Sequence, residues 1–119
     1  MSREITADQL WAITTRESRL FTMDFTQLLS TGETINGVSG TSGGVTLGVT
    51  ADAVITAGTP AVNIATIEDD RGDTIAIGKA IQVRLSAASA AVGEVYDVRF
   101  TCVTTANNRI EQIARLQVL

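Results

Sequence analysis

A chain of 119 residues with 45 % apolar content is long enough for one domain with one modest core, and too apolar to be disordered throughout. Nine basic against thirteen acidic residues leave a net charge of −4, which argues against nucleic acid as the main partner, since phosphate binding needs a basic surface. The sequence holds no histidine, and this removes the commonest general base, the commonest metal ligand and every Ser–His or Cys–His nucleophile pair.

The one cysteine, Cys102, rules out an intrachain disulfide and any multi-cysteine zinc site. No apolar run approaches the roughly 20 residues that span a bilayer, so no membrane partner is expected. Residues 1–8 lack the apolar stretch of a signal peptide, so the chain is expected to be made and folded in a cytoplasm. With only five aromatics (Trp11, Phe21, Phe25, Tyr96 and Phe100), the core must be built mainly from Val, Ile, Leu and Ala.

Residues 1–18 read as an N-terminal docking arm. Within it, residues 6–15 fit a short helix or an irregular lead-in: Thr6 and Gln9 match a capping box, and Leu10, Trp11 and Ile13 form a small apolar face. Trp11 either covers one end of the domain or anchors the arm in a partner, and Trp11 with Ile13 are the candidate partner-binding residues. From residue 19 the pattern has period two. Phe21, Met23 and Phe25 share one face of a first strand over 19–29. Ser30 to Gly32 breaks it, and Glu33 to Asn36 begins a second. Gly37 to Gly44 reads as a flexible turn or a bulged strand.

Val45, Leu47 and Val49 alternate again, and a weaker run from Ala53 to Ala57 stops at Gly58-Thr59-Pro60. Val62, Ile64 and Ile67 fit a further strand, interrupted at Glu68 to Asp73. The stretch from Ile77 to Leu85 turns Ile81, Val83 and Leu85 inward and Gln82 and Arg84 outward. A small-residue bridge, Ser86 to Gly93, leads into a closing hairpin with a two-residue Asn107-Asn108 turn. Tyr96, near the start of the penultimate strand, stands where sandwiches place a tyrosine corner, its hydroxyl tied back to the Ala87–Val92 bridge. Cys102 falls on the inward face with Val98 and Phe100 and reads as an ordinary buried thiol. These elements define an all-β chain: an immunoglobulin-like antiparallel β-sandwich of seven or eight strands over residues 19–119, with a short N-terminal arm or helix.

No catalytic, metal or cofactor residues emerge. The acidic residues lie on turns or outward strand positions, where solvated charge is the default. Glu68, Asp69, Asp70 and Asp73 offer oxygen ligands for a hard cation, but the spacing is not that of an EF-hand, and Arg71 sits among them. A solvated hairpin tip is the expected role. Arg71-Gly72-Asp73, an integrin-type tripeptide, reads as turn chemistry. The glycines between Gly40 and Gly44 lack the lysine and helix of a phosphate loop.

Two stretches resemble one family. Leu20 to Ile35, with its Leu28-Leu29 pair and Gly32-Glu33-Thr34-Ile35 turn, is similar to the opening of small tailed-phage virion proteins of the fibre–tail adaptor or head–neck accessory family. Gly93, Tyr96 and Val98, then Thr104-Thr105 and Leu116-Gln117-Val118, resemble the ending of those proteins. One departure lies in the second strand, where related chains often carry tryptophan and this one has Asn36-Gly37-Val38. The resemblance implies a non-enzymatic virion component present in several copies, a homo-oligomer or multi-copy ring bound to head, neck, tail or fibre subunits. It would be assembled in the cytoplasm of an infected bacterium, without cofactor. A head decoration (cement) protein is the near rival. A carbohydrate- or receptor-binding module is the distant one, and it calls for aromatics exposed on loops.

Overall fold

The apolar alternation becomes two sheets that face each other across a shared core. The computed structural model describes residues 10–69 and 72–119. In chain order the strands are β1 (Leu10–Ile13), β2 (Ser18–Asp24), β3 (Ile35–Gly37), β4 (Thr41–Ser42), β5 (Val45–Thr46), β6 (Gly48–Ala51), β7 (Thr56–Ala57), β8 (Ala61–Val62), β9 (Ile67–Glu68), β10 (Thr74–Ile75), β11 (Ala80–Ser86), β12 (Val95–Thr104) and β13 (Arg109–Val118). One 3-10 turn, Thr26–Leu28, follows β2.

The first sheet runs β1-β13-β12, with β3 and β6 sharing the far side of β12. The second runs β2-β11, with β7 and β8 sharing the far side of β11. The two last strands thus pair with each other and with the early β3, while β2 lies beside β11 in the opposite sheet. That is the strand order of an immunoglobulin-like sandwich. Short β4–β5 and β9–β10 pairs are excursions from this frame.

The inward faces carry the core. Met23 and Phe25 close one side; Ile81, Val83 and Leu85 come from β11; Val98, Phe100 and Cys102 come from β12; Ala114, Leu116 and Val118 come from β13. Burying a large apolar side chain contributes about 1.5–3 kcal/mol, so this set carries most of the folding free energy. The outer face of the β12–β13 ladder is polar, with Arg99 Nε 3.1 Å from Glu111 Oε1.

Four local expectations are corrected. Residues 10–13 are a strand, not part of a helix: Leu10 to Ile13 pair in parallel with Arg115 to Val118, and Leu119 N–H donates to Ile13 O at 2.9 Å. The free half-edge of β13 and a core site for Ile13 outweigh the weak propensity of a one-turn helix. The Thr6–Gln9 capping box lies outside the described residues.

Residues 37–44 open on a bulge, the pairing of β3 with β12 shifting register between Val103 and Thr104, and then form a hairpin turn. β3 and β6 are two pieces of one edge strand along β12, Gly37 facing Val103 and Gly48 facing Thr101. Between them the chain leaves the sheet and returns through the β4–β5 hairpin, whose Gly43 and Gly44 both take positive φ.

The strand expected through Ile64 stops at Val62. Asn63 is buried and redirects the chain, which leaves Ile64 92 % exposed. β11 likewise begins at Ala80, so Ile77 stands outside it, 56 % exposed.

The closing hairpin turns on three residues, not two. Asn107 N–H donates to Thr104 O at 2.9 Å and Thr104 N–H donates to Asn108 O at 2.8 Å, with Asn107 left-handed at φ 61. A turn followed by a left-handed residue is the usual three-residue hairpin solution, and asparagine tolerates that conformation.

Candidate functional site

The most concentrated polar chemistry in the described chain is a buried knot around Glu33. Ser30 N–H donates to Glu33 Oε1 at 2.9 Å, and Asn108 Nδ2 donates to Glu33 Oε2 at 2.9 Å. The Thr104 hydroxyl donates to the same Oε2. Thr104 is fully buried and Glu33 nearly so. These donors, the Thr104 hydroxyl foremost, then Ser30 N–H and Asn108, hold the Glu33 carboxyl below its usual pKa.

The knot joins three segments: the loop after β2, the entry to β3 and the β12–β13 turn. Backbone bonds reinforce it, Thr105 N–H donating to Thr34 O at 2.9 Å and Thr34 N–H donating to Thr105 Oγ1 at 3.1 Å. Both carboxylate oxygens accept from fixed donors. Such a group is a fastener held ionised, poorly suited to giving up or taking a proton.

The expectation that the acidic residues are solvated therefore fails at Glu33. A sequence signal existed. Ser30-Thr31-Gly32-Glu33 has the S-x-x-E spacing in which the carboxylate reaches back to the N–H three residues before. Thr14-Thr15-Arg16-Glu17 uses the same device between β1 and β2, Thr14 N–H donating to Glu17 Oε1 at 2.9 Å. That bond is the main reason the Glu17 carboxyl is also held below its usual pKa.

Asn63 is a second fastener invisible to pattern reading. Its Nδ2 donates to Ala65 O and Ala76 O, both at 2.9 Å. Its Oδ1 accepts Lys79 N–H at 3.1 Å and Ala80 N–H at 3.0 Å. All four hydrogen-bonding positions of the amide are used, as burial demands. Gln112 performs a similar service between the sheets, its Nε2 donating to Asp24 O at 2.7 Å.

The residues singled out by sequence fall as follows. Tyr96 Oη accepts Ala91 N–H at 3.2 Å, which ties β12 back to the bridge before it. Cys102 is buried on the inward face. Burial, with a smaller contribution from the Glu33 charge, pushes its thiol up to about 12.

Ile13 is fully enclosed in the domain's own core. Trp11 is half-buried, stacked on Phe21 with ring centroids 4.8 Å apart and edge-on to Phe100 at 5.7 Å. Both candidate anchors are thus engaged within their own domain, and β1 belongs to the sandwich, not to a separate arm.

At the acidic turn, Asp73 N–H donates to Asp69 Oδ1 at 2.9 Å and Gly72 N–H to Asp69 O at 3.0 Å. Asp70 and Arg71 lie outside the described residues. Among the described residues no group of three or more His, Cys, Asp or Glu is placed to hold a metal ion. No family model, no curated protein and no solved structure matches the chain.

Proposed function

We propose that this chain is a non-enzymatic structural component of a tailed-phage virion, an immunoglobulin-like adaptor at the neck or tail that joins fibres or neighbouring subunits to the particle. The observation that carries the reading is the Glu33 knot. The two stretches that resemble the adaptor family are far apart in sequence, yet they meet there. Glu33 and Thr34 of the opening motif bond to Thr104, Thr105 and Asn108 at the closing one. The contact makes the two motifs parts of one fastener, and this supports reading them together.

A carbohydrate-binding module gains no support, because all five aromatics are buried or half-buried and none offers a stacking face on a loop. Quantitative mass spectrometry of purified particles produced by the source genome tests the proposal. A neck ring contains about a dozen copies by closed symmetry, and a decoration protein would give on the order of hundreds. Absence of the chain from the particle overturns the reading.

A further inference from the structure

We propose that the outer edge of β2 is a joining surface for a second copy of this chain, two β2 strands pairing antiparallel across a two-fold axis. This edge is defined by backbone geometry, independently of the functional reading. Phe25 N–H donates to Lys79 O at 2.9 Å, while Arg84 O accepts from Gly58 on the far side of β11. With Met23 opposite Ile81 and Leu20 opposite Arg84, these bonds fix the alternation. Arg19, Phe21 and Met23 exchange hydrogen bonds with β11, whereas Leu20, Thr22 and Asp24 direct their N–H and C=O groups away from it. Among the described residues no strand pairs with that edge; its end carbonyls are engaged, Ser18 O by Arg84 Nη1 and Asp24 O by Gln112 Nε2, and the stretch through Leu20 and Thr22 stays open.

The other sheet edges are blunted. β1 offers four residues, β7 and β8 offer two each on either side of Pro60, and the β3–β6 edge is broken by the β4–β5 excursion. β2 alone presents seven regular residues, with no proline, lysine or bulge to discourage addition. It also carries Leu20, 52 % exposed on the outer face.

The hydrogen-bonding parity narrows the registers, and charge chooses among them. Outward-directed residues must face one another, and centring the axis on Phe21 sets Leu20 against Thr22 of the other copy and Ser18 against Asp24. Charge then complements charge. The Arg84 guanidinium sits beside Ser18, its Nη1 donating to Ser18 O at 3.1 Å. In this register it meets the Asp24 carboxylate of the second copy, twice by symmetry. The result is a closed, isologous contact in which the β2 sheets of two domains become one.

Sedimentation velocity of the full chain over a dilution series tests this. The wild type is expected to sediment with the mass of two copies at high concentration. Leu20→Lys, at an exposed position, should halve that mass with the far-UV spectrum unchanged. Arg84→Glu should also release the monomer, and adding Asp24→Lys to it should restore the dimer. Amide exchange gives a second measure: Thr22 and Leu20 N–H should be protected in the dimer and fast on dilution. A wild type that stays monomeric, a dimer that Leu20→Lys leaves intact, or edge amides protected in the monomer would each overturn the proposal; the last would mean that the chain covers its own edge.

Discussion

Glu33 shows how much one side chain can decide. Its carboxylate is the common acceptor for donors from the loop after β2, the end of β12 and the β12–β13 turn, so Glu33→Gln should lower the denaturation midpoint at neutral pH. The pH dependence follows in sign from its lowered pKa. The folded chain releases this proton more readily than the unfolded one, so the stabilisation is complete above the unfolded glutamate value near ~4.3 and is lost as pH falls through the lower folded value. Urea midpoints measured between about pH 6 and pH 3 should therefore fall less steeply in Glu33→Gln than in the wild type, with Glu17 supplying part of the remainder. Tyr96→Phe removes the acceptor for Ala91 N–H and should cost about 0.5–1.5 kcal/mol, read by the same titrations. Cys102, buried and with its thiol raised to about 12, should resist a thiol reagent in native buffer and react fully in denaturant. The sequence showed Cys102 and Tyr96 in their structural roles because alternation and position suffice for them. Glu33 escaped it, since nothing local reveals that a turn carboxylate will be roofed by Thr104 from 71 residues away.

Among the elements, the long strands were legible throughout and the short ones only in part. β2, β11, β12 and β13 have a buried face and a polar face, and that asymmetry is written in their period-two pattern. The excursions were misread where an apolar residue did not mean burial. Ile64 continues the alternation begun by Val62, but Asn63 takes the interior place and turns the chain. Asn63→Ala would leave Ala80 N–H and Ala65 O without their partner, while Lys79 N–H and Ala76 O keep the bond between them, and should cost about 1–3 kcal/mol. Its effect should appear as faster amide exchange at Lys79 and Ala80, ahead of global unfolding. The closing turn gives a sharper test of backbone conformation. Asn107 at φ 61 should accept glycine with little change, whereas valine should cost about 1–2 kcal/mol in thermal or urea unfolding.

For the whole molecule, the boundary of the domain shifts. Residue 19 is where alternation becomes obvious, but Leu10 is where the described sandwich begins, because β1 closes the edge of β13 and inserts Ile13. A chain lacking residues 1–18 loses Ile13, the Trp11–Phe21 stack and the first residue of β2, and should be strongly destabilised or unfolded by calorimetry. What the sequence determined by itself was the fold class and the inward set of the long strands, since both depend on alternation within one segment. It also removed histidine and disulfide chemistry outright, because composition alone decides those. Only the tertiary structure decided that residues 10–13 extend rather than coil, that Glu33 and Asn63 are interior, and which sheet edge the described strands leave unpaired. Each of those outcomes depends on a neighbour supplied from elsewhere in the chain: a free edge of β13, a hydroxyl on β12, a set of carbonyls around Asn63. Local pattern carries no record of such neighbours, and hydrogen bonding to them overrides local preference.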